Sequence, residues 1–207
     1  MLGIWAIILA AGESKRMGSP KMMLPYGKVT IIGKVIENVL ASDVEKAVVV
    51  LGCYKDKILE VINNQPVMHC YNADYKSGML SSVKRGFAYL PGDFCAALVF
   101  PGDQPMIEAE VINLVTKAYK ESGRGIIVPV YKGKRGHPLL VDKKYREEIM
   151  TLDETEGLRG LAFKHPDDLL EIKTDNPLIL RDIDTIEDYI YERNLTKETW
   201  KKQSNSN

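Results

Sequence analysis

The sequence predicts a three-layer α/β/α fold, a mostly parallel sheet covered by helices on both faces. Apolar runs too continuous for a half-exposed strand alternate with segments of helical periodicity, the signature of parallel strands linked by crossover helices. Glycine-rich or charged loops follow several of the runs, where open α/β sheets bind their ligands.

The elements follow in order. "IWAIILA" (4–10) is apolar at every position and reads as a strand buried on both faces. "TIIGKVIENVLAS" (30–42) gathers Ile31, Ile32, Val35, Ile36, Val39 and Leu40 on one helical face. "KAVVVLG" (46–52) is a second buried strand, "YKDKILEVINN" (54–64) a short amphipathic helix, and "PVMHCYN" (66–72) a third strand. In 78–90, Met79, Val83, Phe87 and Leu90 recur at helical spacing. "CAALVF" (95–100) is a strand that stops at "PGDQP", and 107–122 is a helix ended by Gly123. Strands at 125–131 and 136–142 flank the basic turn "KGKRG", and "LLEIK" (169–173) is strand-like. One domain is expected over 1–195, with a frayed polar tail over 196–207 that Trp200 could anchor.

The chain has 207 residues, enough for one α/β domain with a substantial core. Lys+Arg and Asp+Glu both number 28, which argues against nucleic-acid binding through bulk charge. The apolar N-terminal run lacks a basic lead and is too short to span a bilayer, so neither secretion nor membrane insertion is expected. Cys53, Cys70 and Cys95 form neither a disulfide framework nor a CxxC site, and read as small buried hydrophobes in a reducing cytoplasm.

The most informative stretch is "ILAAGESKRMGSPKMMLPYG" (8–27). Ala10, Ala11 and Gly12 form a small-residue turn whose backbone amides could meet phosphate oxygens, and with Leu9 before them they are the expected nucleotide contacts of this loop. Arg16 could grip two such oxygens, while Lys21 could serve as a movable point charge. An ordinary basic surface turn is the competing reading. Gly12 and Gly18 are one residue too far apart for a Walker A loop, and GxGxxG is absent.

As a whole, "LAAGESKRMGSPKMMLPYG" resembles the signature LAAGxSxRMGxxKxLLPxxG of the molybdenum cofactor nucleotidyltransferases, with Met23 where Leu is usual. That family implies the Rossmann-like fold of the nucleotide-diphospho-sugar transferases. "LVFPGDQPMI" resembles the family's LGDQP with Pro101 replacing Leu, and implies a metal role for Asp103; a turn or helix cap is the alternative. "LRDIDTIEDY" (180–189) resembles DIDTPEDY, with Ile186 replacing Pro. Asp182 and Asp184 face one side of an extended segment. The resemblance implies that one completes the metal site, and Asp184 is preferred. Thr185 with Asp188 reads as a capping box.

"YKSGMLSSVKRGF" (75–87) resembles GMSSSLRAGL and implies nucleotide contacts from Gly78, Met79, Ser81 and Ser82 at a helix start; a plain amphipathic helix explains Met79 and Val83 as well. "GKRGHPLLV" (133–141) resembles RRGHPVLF and implies that Arg135, His137 and Pro138 meet the acceptor substrate, although a lone histidine is more often structural. "ETEGLRGLAFKHP" (154–166) resembles GDRGARxLL and adds Arg159 to the acceptor set, but Leu158 replaces a carboxylate.

The resemblance, from about residue 5 to about 190, implies transfer of a nucleoside monophosphate. Arg16 and Lys21 would neutralise phosphate charge, and Asp103 and Asp184 would hold Mg²⁺, with Mn²⁺ as an alternative. Guanylyl-transferring relatives carry LAGG, whereas this chain has "LAAG". The extra methyl at Ala11 implies a narrower pocket suited to CTP. The implied acceptor is a molybdopterin-type cofactor, and the implied partner a molybdoenzyme or its maturation chaperone. Alternatives are another nucleotide or acceptor, including GTP and sugar phosphates, or a non-catalytic nucleotide-binding assembly module. A nicotinamide-dependent oxidoreductase domain is disfavoured by the missing GxGxxG.

Overall fold

The computed structural model describes the backbone of residues 3–204 and the side chains of residues 3–195. In chain order, β1 (Ile4–Ala10) leads through the basic loop to a small hairpin, β2 (Pro25–Tyr26) with β3 (Val29–Thr30), and then α1 (Ile31–Leu40). Next come β4 (Lys46–Leu51), α2 (Lys55–Ile62), β5 (Met68–Tyr71), α3 (Met79–Tyr89), β6 (Ala96–Pro101) and α4 (Ala109–Ser122). β7 (Ile126–Tyr131), β8 (Lys134–Arg135), β9 (Leu139–Asp142), α5 (Arg146–Thr151) and α6 (Arg159–Lys164) follow. β10 (Leu169–Lys173) and α7 (Ile186–Ser204) complete the described chain.

The main sheet has the order β10-β7-β9-β6-β1-β4-β5, with β8 paired to β7. β6, β1, β4 and β5 run parallel, as the alternating pattern predicts. β9 lies antiparallel between β6 and β7, and β10 pairs parallel with β7. The two strands flanking the basic turn are therefore neighbours, and β9 joins them to the parallel half.

β1 explains why its run has no polar position. Ile4, Ala6, Ile8 and Ala10 enter a core with Val35 and Ile36 of α1, Ile58 of α2, and Ile112 and Val115 of α4. Trp5, Ile7 and Leu9 enter the opposite core with Val83 and Phe87 of α3, Ile149 of α5 and Leu161 of α6. Each alternate side chain thus meets a different helical layer. α1 begins where Thr30 accepts from the Gly33 amide at 3.1 Å, and α4 ends at left-handed Gly123.

Two expectations need correction. Helix continues through 196–204 where a frayed tail was expected; no glycine or proline interrupts 186–204, so nothing local ends α7. The anchoring role of the Trp200 side chain lies outside the described residues. Cys70 is buried and Cys95 half-buried, but Cys53 is exposed, because it sits past the end of β4 in the loop before α2. Among the described residues, no helix is long and apolar enough to cross a membrane.

Candidate active site

The loops after β1, β5 and β6 converge at the carboxyl ends of the parallel strands and line a cleft of about 480 Å³. The basic loop is fixed from below. Met17 packs with Tyr26, Ile31, Met106, Ile183 and Tyr189, while Met22 enters the core under β1. Ser14 takes a left-handed conformation (φ 51°), and its hydroxyl accepts from the Lys21 amide at 3.2 Å. Anchored methionines beside Arg16 and Lys21 thus hold both cations over the cleft.

Lys21 is 8% exposed, uncommon for a lysine. Its ammonium lies 2.5 Å from Asp103 Oδ2 and 2.8 Å from Asp184 Oδ1. Arg16 Nη2 lies 2.7 Å from Asp184 Oδ2. Two carboxylates separated by 81 residues thus converge on one cation. Backbone contacts brace this arrangement. The Ile183 amide donates to the Asp103 carbonyl at 3.1 Å, and the Gly102 amide to the Leu9 carbonyl at 2.9 Å. A Cβ at Gly102 would fall 2.7 Å from that carbonyl, so only glycine lets the Asp103 loop close against β1. The expected capping box is present: Asp188 accepts from the Asp184 and Thr185 amides at 3.2 and 2.8 Å, fixing the backbone at Asp184.

The electrostatics follow from this packing. Burial alone would lower the Lys21 pKa, but Asp103 and Asp184 outweigh it and hold the ammonium above its ordinary value. Burial would raise Asp184, yet Lys21 and Arg16 hold it below the carboxylate range. Asp182 moves the other way, pushed up by burial and by the negative charges of Asp184 and Asp103. Burial lowers His137, with Asp103 opposing. The imidazole is therefore largely neutral at pH 7.

Most predicted nucleotide contacts line this cleft: Leu9, Ala11, Gly12, Gly78, Met79 and Ser82, with Asp182 and Asp184 opposite. Ala10 does not, since its side chain faces the core. Ser81 also lies outside the lining. It accepts from the Asn72 amide at 2.9 Å and donates to the carbonyls of Asp74 and Gly78, holding the loop before α3. Ser82 accepts from the same Asn72 amide at 3.0 Å. Asn72 organises this loop, and sequence reasoning passed over it; an amide closing a buried strand was its only signal.

A second cleft of about 510 Å³ shares Met79 and His137 with the first. Val83, Val99, Val128, Leu139, Ala162 and Phe163 give it apolar walls, and Arg135 and Arg159 line it too. Arg135 lies over the Phe163 ring and pairs with Glu171 at 2.7 Å. Of the predicted acceptor set, Arg135, His137 and Arg159 line this cleft. Pro138, joined to His137 by a cis peptide, is buried and lines neither. Gln104, which also lines the first cleft, is a further residue that sequence reasoning left unassigned.

Comparison with known proteins identifies relatives of this chain. Residues 6–169 match the MobA-like NTP transferase domain. The molybdenum cofactor cytidylyltransferase of Escherichia coli K12 is 31% identical over 191 residues, covering 92% of this chain and 95% of that protein. Nicotine blue oxidoreductase of Paenarthrobacter nicotinovorans is 28% identical, over 89% and 93% respectively. Among solved structures, Rv0371c of Mycobacterium tuberculosis superposes with a TM-score of 0.84 at 22% identity, covering 93% of this chain and 98% of that one. A manganese complex of the same protein superposes at 0.78 with 20% identity and the same coverage. With the family match extending over residues 6–169 and a 31% identical relative covered nearly end to end, the chain belongs to the MobA-like NTP transferase family.

Proposed function

We propose that this protein transfers CMP from CTP to the phosphate of a molybdopterin-type cofactor, releasing pyrophosphate and forming the cytosine dinucleotide. The observation that carries the reading is the charged centre: Lys21 shared between Asp103 and Asp184, with Arg16 beside it, in a cleft that adjoins a second one at Met79 and His137.

The carboxylates fit a divalent cation. Asp103 and Asp184 already converge on one positive charge, and Asp103 Oδ1 is buried without a hydrogen-bond partner. Among the described residues no group of three or more His, Cys, Asp or Glu is arranged to hold a metal, so protein ligands alone do not form a cage. This suits Mg²⁺, which takes one or two carboxylates and completes its shell with water and substrate phosphates; Mn²⁺ is the alternative. When bound, the ion would neutralise charge on the triphosphate and the leaving pyrophosphate.

The chain's own residues supply the rest. Lys21 and Arg16 meet the phosphates as movable and forked cations. The turn at 10–12 and the start of α3 seat the nucleotide, with Leu9, Ala11, Gly12, Gly78, Met79 and Ser82 in contact with it. Ala11 packs so closely on Gly52 that a Cβ there would lie 2.7 Å from the Ala11 Cβ. It therefore cannot retreat from the nucleotide, which supports a pyrimidine. Arg135, His137 and Arg159 orient the acceptor. A phosphate monoester, with its second pKa near ~6, is mostly dianionic at neutral pH and attacks without a general base. Neutral His137 is consistent with a positioning role. Catalysis then rests on alignment and charge neutralisation.

The E. coli relative's name supports the donor and acceptor. The second relative's name denotes redox chemistry, but this chain lacks the GxGxxG turn of a nicotinamide-binding domain. Pyrophosphate release measured with CTP, GTP, ATP and UTP, with and without the cofactor and Mg²⁺, tests the reading. Release that requires CTP and the cofactor together supports it; turnover of a reduced nicotinamide in place of release refutes it.

A further inference from the structure

Two buried side-chain oxygens stand out among the described residues because they have no hydrogen-bond partner: Asp103 Oδ1 and Gln104 Oε1. They belong to consecutive residues, and both residues line the cleft that holds Lys21 and Asp184. Gln104 is only 3% exposed. A buried amide oxygen without a donor destabilises a fold, and native proteins rarely leave one so.

The surrounding chain is fully braced, which makes the orphaned pair more telling. The Asp103 carbonyl accepts from Ile183, and the Gln104 carbonyl accepts from the Ile107 amide at 3.3 Å. Buried Asn38 donates to the carbonyls of Pro105 and Ile107, both at 2.9 Å. The segment is thus clamped on both sides of Gln104. Nearby carboxylate oxygens are already engaged: Asp103 Oδ2 by Lys21, and the two of Asp184 by Lys21 and Arg16.

We infer that Gln104 is a positioning residue for the divalent cation, its amide oxygen accepting a hydrogen bond from a water molecule on the ion that Asp103 binds. The inference rests on the metal-dependent reading above. A hydrated ion presents donors to an acceptor placed just beyond its protein ligand, and Gln104 is the residue adjacent to Asp103. The loaded protein would then offer this oxygen the donor that no protein group supplies.

The test uses the full-length chain as wild type, Gln104→Leu, Gln104→Glu and Asp103→Asn. Two readouts need no turnover: melting temperature without ligands, and Mn²⁺ affinity by electron paramagnetic resonance with CTP present. Gln104→Leu is expected to melt no lower than wild type, because the oxygen it removes accepts no hydrogen bond from the protein. It is expected to bind Mn²⁺ about 10- to 100-fold more weakly, the usual effect of removing an outer-sphere partner. Gln104→Glu, which keeps an acceptor oxygen, should retain affinity close to wild type.

A Gln104→Leu protein that melts several degrees lower with unchanged Mn²⁺ affinity would show a structural amide and overturn the inference. Unchanged Mn²⁺ affinity with a raised acceptor KM would assign Gln104 to the acceptor instead and also overturn it. Loss of affinity in Gln104→Glu matching that in Gln104→Leu would show that the amide N–H, not the oxygen, matters. Wild-type Mn²⁺ binding that Asp103→Asn abolishes, in a protein that forms no product, would reject the proposed reaction while leaving this role intact.

Discussion

The two clefts meet at Met79 and His137 but are built from opposite materials. The first is crossed by Lys21, Arg16, Asp103 and Asp184 and held by backbone braces to β1 and to the segment before α7. The second has valine, leucine and phenylalanine walls, with Arg135, Arg159, Glu154 and Glu156 at its edge. On the reaction proposed above, this division would separate chemistry from choice. Phosphate transfer needs fixed charge, which a protein supplies with residues that cannot easily move. Acceptor selection needs shape and apolar contact, which can vary without disturbing that charge.

The sharpest way to break the division is Asp103→Asn. It removes one charge from the first cleft and preserves shape. Transfer should fall by at least about 100-fold, the scale of losing one electrostatic contact to a transition state. Pyrophosphate release checks this, and an unchanged rate would remove Asp103 from the site.

Lys21→Met comes next, and it should act on stability as well as rate. Removing one partner of a largely buried ion pair, here partly screened, should cost roughly 2 kcal/mol, or about 4–8 °C in melting temperature for a chain of this size. The pH dependence has a definite sign. Lys21 is raised, so its stabilisation is full below the ordinary lysine value and is lost as pH rises through the higher folded value. Asp184 is depressed, so its stabilisation is present above the ordinary carboxylate value and is lost as pH falls through the lower folded value. The acid limb of a melting-temperature profile should therefore be shallower in Lys21→Met than in wild type.

The second cleft is probed by Phe163→Ala. Phe163 is 70% exposed, so folding should not suffer. The acceptor KM should rise about 10-fold, equivalent to roughly 1.4 kcal/mol, with the CTP KM unchanged. A matching rise for CTP would contradict the division between clefts.

The smallest expected effect is that of Asp182→Asn. Its carboxyl is held above the ordinary value by burial and by Asp184 and Asp103. Its ionised form therefore opposes folding at neutral pH. The variant should melt slightly higher than wild type at pH 7, with the difference vanishing below the ordinary carboxylate pKa. Differential scanning calorimetry at the two pH values measures it.

Much of this was legible in the sequence, and unevenly so. β1 could be read because every position faces one of two cores, leaving a run without polar residues. The basic loop stood out because cations and glycines follow that run directly. The antiparallel insertion of β9 was not legible, since a run as short as Leu139–Val141 looks alike in either strand direction. Nor could sequence separate Ser81 from Ser82. Both read as hydroxyls at a helix start, and only the packing shows Ser82 at the cleft while Ser81 ties down the preceding loop. Gln104 was hidden because a glutamine in a loop is ordinary until its burial and its unsatisfied oxygen are seen.

On the proposed function, one charged cleft passes a cytidylyl group to a phosphate presented by its apolar neighbour. Mass spectrometry of the products formed from CTP, molybdenum cofactor and Mg²⁺, with pyrophosphate quantified in the same reaction, tests it most directly. The predicted result is a cytosine dinucleotide of the cofactor formed one-for-one with pyrophosphate by wild type and not by Asp103→Asn. Product formed equally well by Asp103→Asn, or pyrophosphate released without any dinucleotide, would contradict it.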